Sequence, residues 1–321
     1  MKSSNIGGQA VMEGIMMRHK DKYSIAVRRP DNEIELKVED YKCVFGNAKF
    51  LKYPLIRGVV SFVDSLVVGT KCLMYSAEIA GDEEDEEEAQ KSAALSEEER
   101  AAKKAKEDKQ FKWLLYVTVA ISIVVSIAAF MLLPYALASL CRKVGASEFV
   151  VTVVEAFVKL ALFMGYMILI SRMKDIQRTF MYHGAEHKCI NCIEHGLPLT
   201  VENVRKSSKE HKRCGTSFML FVMIVGIVLL FFVRVESPLM RVIVRIALLP
   251  VIAGISYELI KWAGSSENPV VCILSKPGLW LQGLTTKEPD DEMIKVGIAS
   301  VEAVFDWKTY LRENFGYKEE E

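Results

Sequence analysis

His183-Gly184-Ala185-Glu186-His187 reads H-x-x-E-H. Two histidines four residues apart lie on one face of a helix, one turn apart. That spacing lets two imidazoles grip one metal ion with a carboxylate beside them. The same order occurs in the inverted zinc-protease motif, where the Glu is the general base. Such an ion lowers the pKa of bound water toward neutrality, and Glu186 would take its proton. Neutral His and thiolate Cys suit zinc among the divalent ions. A third ligand must come from elsewhere: His211 and Cys214 are nearest in sequence, with Glu258 and Glu13 as further candidates. A second set, Cys189-x2-Cys192 with His211-x2-Cys214, would close a four-ligand structural zinc site. Its weakness is that the Cys pair falls within a predicted helix. The bland alternative is a pair of histidines bonded to backbone and lipid headgroups at a membrane surface.

The elements that must hold these residues are membrane helices. No charge occurs over residues 113–141 or 215–233, and a span needs ~20 apolar residues. Two further apolar runs carry charges: residues 149–171 with Glu155 and Lys159, and residues 239–262 with Arg241, Arg245 and Glu258. Glu155, Lys159, Arg241 and Arg245 read as a buried ion-pair cluster fixing helix packing, with a transport path as the lesser alternative. Lys and Arg concentrate in residues 100–112 and 172–214. By the positive-inside rule both termini and the 172–214 loop face the cytoplasm. Six of the seven cysteines then fall on or near a reducing side, which argues against disulfides.

The fold class is mainly α: a polytopic membrane protein with about four transmembrane helices, an amphipathic interfacial helix and a small N-terminal β unit. Residues 1–50 form the β-rich unit, since 23–29 and 33–39 alternate around the Pro30-Asp31-Asn32 turn. Residues 51–80 form the amphipathic helix, with Arg57, Asp64, Lys71 and Glu78 on one polar line; a fifth span is the minor reading. Residues 81–110 are a charged linker, 111–262 the four-helix membrane domain with the metal-site loop 172–214, and 263–321 a cytoplasmic C-terminal segment. The second span is predicted to continue as one helix up to Gly196 and Pro198, carrying His183 and His187. Thr200 reads as the N-cap of a short helix.

Several blocks together resemble the YqhQ-like family of bacterial inner-membrane proteins, which have no established function. They are Gly7-Gly8-Gln9-Ala10-Val11-Met12-Glu13-Gly14-Ile15-Met16-Met17-Arg18, Tyr182-His183-Gly184-Ala185-Glu186-His187-Lys188 and Arg213-Cys214-Gly215-Thr216. The resemblance runs on through Ser256-Tyr257-Glu258-Leu259, Pro277-Gly278-Leu279-Trp280-Leu281-Gln282 and Thr285-Thr286-Lys287-Glu288-Pro289. It covers nearly the whole chain, with the acidic stretch near 82–108 as an insertion. It implies a metal-dependent enzyme with its site at His183, Glu186, His187, His211 and Cys214. Cys189 and Cys192 lie outside that pattern, which weakens the closed zinc set. The expected function is therefore a metal-dependent, hydrolytic enzyme of the bacterial cytoplasmic membrane. The alternative is a scaffold for membrane biogenesis with a membrane-protein, translocon or ribosome partner. No nucleic-acid motif is present.

Overall fold

The computed structural model describes residues 2–318 except 47, 82–112, 115, 234, 236 and 267. The charged linker and the side chain of Arg241 therefore lie outside the described residues. The chain divides into two units, residues 1–81 with 167–321 and residues 82–166. The smaller unit holds α2 (Tyr116–Lys143) and most of α3 (Glu148–Ile170). Arg142 at the end of α2 grips Glu148 at the start of α3 through Nε and an NH2 group, at 2.6 and 2.8 Å.

The larger unit begins with four antiparallel strands in sequence order: β1 (Gly7–Val11), β2 (Gly14–His19), β3 (Lys22–Arg28) and β4 (Ile34–Asp40). Their alternation sorts side chains to two faces. Ile15, Met17 and Ala26 face α4 (Lys174–Glu194) and α9 (Asp291–Glu302), packing with Cys189, Ile190 and Met293. Val11, Met16, Ile25 and Val27 face α1 (Ile56–Ala80), packing with Val68 and Cys72. The β3–β4 hairpin is the one read from alternation, with Arg28 opposite Ile34 and Asn32 at positive φ in the turn.

The remaining helices of this unit are α5 (Val201–Lys206), α6 (Gly215–Phe232), α7 (Pro238–Ser265), α8 (Pro269–Thr285) and α10 (Trp307–Phe315). Among the described residues five helices, α1, α2, α3, α6 and α7, are long and apolar enough to cross a bilayer. Thr200 caps α5 by accepting from the Asn203 N–H.

The expectation of one continuous helix from the second span into His183 is corrected. Helix α3 stops at Ile170, a turn covers residues 171–173, and α4 starts afresh at Lys174 with extended backbone at Met173. Gln177 Nε2 donates back to the Ser171 carbonyl at 3.2 Å and steadies the corner. The break makes α4 a separate helix. Its second half is buried without interruption from Gly184 to Glu194, which is how a helix enclosed on all sides reads.

A candidate metal centre

The site is assembled on α4 by three segments laid across it. The first crosses at Gly184. A Cβ there would meet the Lys287 carbonyl oxygen at 2.0 Å, so only glycine lets residues 285–289 pass this closely. The Lys287 N–H donates to the Phe180 carbonyl at 2.9 Å, and His183 Nδ1 donates to the Thr285 carbonyl at 2.9 Å.

The second segment is the loop after α5. Its carbonyls are taken one after another by buried α4 side chains. Lys188 Nζ donates to Arg205 and Ser207, Asn191 Nδ2 to Ser208 and Glu210, and His187 Nδ1 to Lys209 at 2.6 Å. Gln282 of α8 then clamps His211, accepting its N–H at 2.9 Å and donating to its carbonyl at 2.8 Å. Cys214 is thereby delivered to His183 as the N-cap of α6, its sulfur accepting from the Thr216 N–H.

The third segment is β1. A Cβ at Gly8 would meet Glu186 Cγ at 2.8 Å, so the strand lies directly on that carboxylate. The Gly8 N–H faces Glu186 and favours its charged form. The next residue, Gln9, points the other way and packs against Gly69 of α1. The glycine-rich N-terminal block thus ties the carboxylate to the sheet, which composition alone did not reveal.

Ligand atoms of His183, His187 and Cys214 lie within 4.8 Å of one another, and theirs is the one such group among the described residues. Carbonyl oxygens can only accept, so both histidines carry their proton on Nδ1. That leaves each Nε2 lone pair for an ion, the arrangement in which a second hydrogen bond orients a metal-binding His. His183 Nε2 is 3.3 Å from the Cys214 sulfur. Glu186 stands beside the group, its Oε2 3.9 Å from His183 Nε2. Burial pushes Glu186 up to about 7, against the opposing pull of His183 and the Gly8 N–H. The chemistry of the donor set fits a borderline-soft divalent ion. Three protein donors on a tetrahedral ion leave one position for another ligand. His183 retains 17% side-chain exposure, against 6% for Glu186 and 1% for the whole His187 residue, so solvent reaches the group past His183.

His211 lies outside this group. Its ring is 5.7 Å from that of His187, and its Nε2 faces Glu194 Oε2 at 3.4 Å. Glu13 and Glu258 are also taken elsewhere. Glu13 accepts from Arg178 and from the Tyr182 hydroxyl. Glu258 is held by Arg57 of α1 through two bonds. The closed cysteine set does not form. Cys189 packs against Gly297, and the Cys192 thiol donates to the Pro198 carbonyl at 3.4 Å.

Glu194 anchors the far end of α4. It is fully buried and accepts from the Ser4 N–H and hydroxyl and from Arg213. Burial would raise its pKa, but His211, Arg213 and the Ser4 N–H together hold it down to about 2. A depressed carboxylate stabilises the fold above its unfolded pKa and loses that contribution as pH falls through the folded one. At 1.36 kcal/mol per pKa unit this is about 3 kcal/mol, lost between roughly pH 5 and 2. Acid unfolding in detergent is therefore expected to be steeper for wild type than for Glu194→Gln; equal slopes would rule this anchor out.

The chain is thus a multi-pass membrane protein with a His/His/Cys group, able to hold a metal, at the end of a candidate span. A family model described as "Protein of unknown function (DUF1385)" matches residues 53–307, and the chain belongs to that family. It is 38% identical over 302 residues to "Uncharacterized protein YqhQ" of Bacillus subtilis (strain 168), covering 92% of this chain and 90% of that one. No solved structure matches.

Proposed function

We propose that the protein is a metal-dependent hydrolytic enzyme of the bacterial cytoplasmic membrane, with its site at the cytoplasmic face. The observation that carries this reading is the convergence of two imidazoles, each with Nδ1 fixed on a backbone carbonyl, on one thiol with a carboxylate alongside. His183, His187 and Cys214 would hold the ion, and the nitrogen and sulfur donors favour zinc. When bound, the ion supplies Lewis-acid polarisation and a more acidic water. Glu186 is the general base, its carboxylate kept near neutral range by burial and steered by the Gly8 N–H. The Thr285 and Lys209 carbonyls hold the rings in the tautomer that can ligate. The Lys and Arg excess of residues 100–112 and 172–214 supports cytoplasmic termini and a cytoplasmic site.

The competing reading is a scaffold with a structural ion, docking a membrane-protein, translocon or ribosome partner. The burial of His187 and Glu186 favours it, because a closed site has no need of a substrate path. Glu186→Gln separates the two. The amide has nearly the shape of the carboxylate and Glu186 is not among the three metal donors, so fold and metal content are expected to persist. Complementation of a deletion strain is expected to be lost for an enzyme and retained for a scaffold.

A further inference from the structure

Helix α1 has the length and composition of a span, yet most of its packed face lies on the sheet. Gly69 packs on Gln9 of β1, Ser76 accepts from the Met12 N–H at 3.1 Å, and Val68 and Cys72 sit in the core of the sheet. Asp64 accepts from the Tyr41 hydroxyl and the Val44 N–H, on the segment that leaves β4. The sheet itself cannot lie in hydrocarbon. It is open at β1 and β4, and its strands and turns carry Arg18, Lys20, Asp21, Arg29, Glu35 and Lys37. Everything from Asp64 to Ser76 is thus held against an extramembrane layer. Only residues 56–63 remain for the bilayer, about 12 Å of helix where a span needs about 30 Å.

The other end of α1 meets α7 at one place. Gly58 lies against Gly254 and Tyr257, and Arg57 pairs with Glu258. Further along α7, Gly264 lies against Arg213, one residue from Cys214. The start of α1 therefore meets the half of α7 that leads to the metal centre. Preceding it, residues 41–63 contain Lys42, Lys49, Lys52 and Arg57 and no acidic residue. Phe45, Phe50 and Tyr53 are exposed among those lysines, and Phe62 continues the apolar surface onto α1. Aromatic rings interleaved with lysines are the composition of a segment seated at headgroup depth in an anionic leaflet.

We propose that α1 does not cross the membrane and that residues 41–63 form a foot set into the anionic leaflet on the face bearing the metal centre. Helix α1 enters that leaflet only with its first two turns and returns to the sheet. Arg57–Glu258 marks the depth at which foot and bundle lock together. This places the sheet, the end of α1 and the His/His/Cys group on one side, and it holds independently of what reaction the site performs.

Two measurements test it. The first is sidedness: an epitope at the N-terminus and another inserted after Gly81, each read by protease protection in inside-out vesicles. Both are expected to be digested or protected together; opposite behaviour would show a crossing helix and overturn the proposal. If the insertion disturbs folding, a Glu-specific protease acting on the unmodified acidic run at 82–88 gives the same reading. The second places a benzophenone amino acid at Phe50 in proteoliposomes of phosphatidylcholine with one-fifth phosphatidylglycerol. Lipid adducts are expected, with phosphatidylglycerol enriched several-fold over its share, and the enrichment is expected to vanish in K42Q/K49Q/K52Q. A cross-link to a second copy of the chain, no lipid adduct, or no enrichment in the wild type would refute the foot.

Discussion

Protein purified without chelator is expected to carry about one divalent ion per chain, and His187→Ala close to none. His187 is 1% exposed and its Nδ1 is spent on the Lys209 carbonyl, so its Nε2 has no competing protein partner among the described residues. Removing it leaves two donors, too few to hold an ion against solvent. Because alanine also opens a cavity in buried α4, Cys214→Ser is the cleaner companion. Serine is among the best N-caps, so α6 keeps its cap, while the soft sulfur donor is gone. Metal content is expected to fall in both variants, with thermal stability of the apo proteins lowered only in His187→Ala. Metal analysis by plasma mass spectrometry decides it. A wild-type protein free of metal would remove the basis of the enzymatic reading, while the foot at residues 41–63 would stand.

What could be read from the sequence was whatever one helix turn or one strand period encodes. His183, Glu186 and His187 declare themselves because they lie on one helical face. The third donor was left among His211, Cys214, Glu258 and Glu13, and what separates them is contacts invisible in sequence: Glu194 takes His211, Arg57 takes Glu258 and Arg178 takes Glu13, leaving the sulfur to face His183. The hairpin of β3 and β4 was legible through the alternation of β4, which is an edge strand. Strands β1 and β2 were not, because β2 is buried on both faces between α1 and α4 and shows an unbroken apolar run, Gly14 to Met17. The corner at 171–173 carries neither Gly nor Pro, so nothing local announces that α3 ends. The path of residues 205–210 is set by their own carbonyls, which every residue type possesses. The pairing of Arg57 with Glu258 joins residues 201 apart in sequence, and only the folded chain makes it.

The second large effect is expected from a single methyl group. Gly184→Ala would place a Cβ 2.0 Å from the Lys287 carbonyl oxygen, and a backbone atom cannot rotate aside. Either α4 or the 285–289 segment must retreat by more than an ångström. Retreat stretches the Lys287 N–H bond to Phe180 and draws the Thr285 carbonyl from His183 Nδ1. Overpacking of this kind costs about 1–3 kcal/mol, and the upper end is expected here because the obstruction is backbone. The metal should respond as well. A ligating His deprived of its orienting acceptor typically loses on the order of 10–100-fold in affinity. Gly283→Ala is the control, since a Cβ there meets nothing within 4 Å; alanine within α8 should instead stabilise by about 0.5–1 kcal/mol. Thermal unfolding in detergent and competitive metal titration read the two consequences separately. If Gly184→Ala unfolded and titrated like wild type, the crossing of residues 285–289 over α4 would be wrong. The orientation assigned to His183 would fall with it, because the same crossing supplies both the steric limit at Gly184 and the carbonyl that fixes the ring.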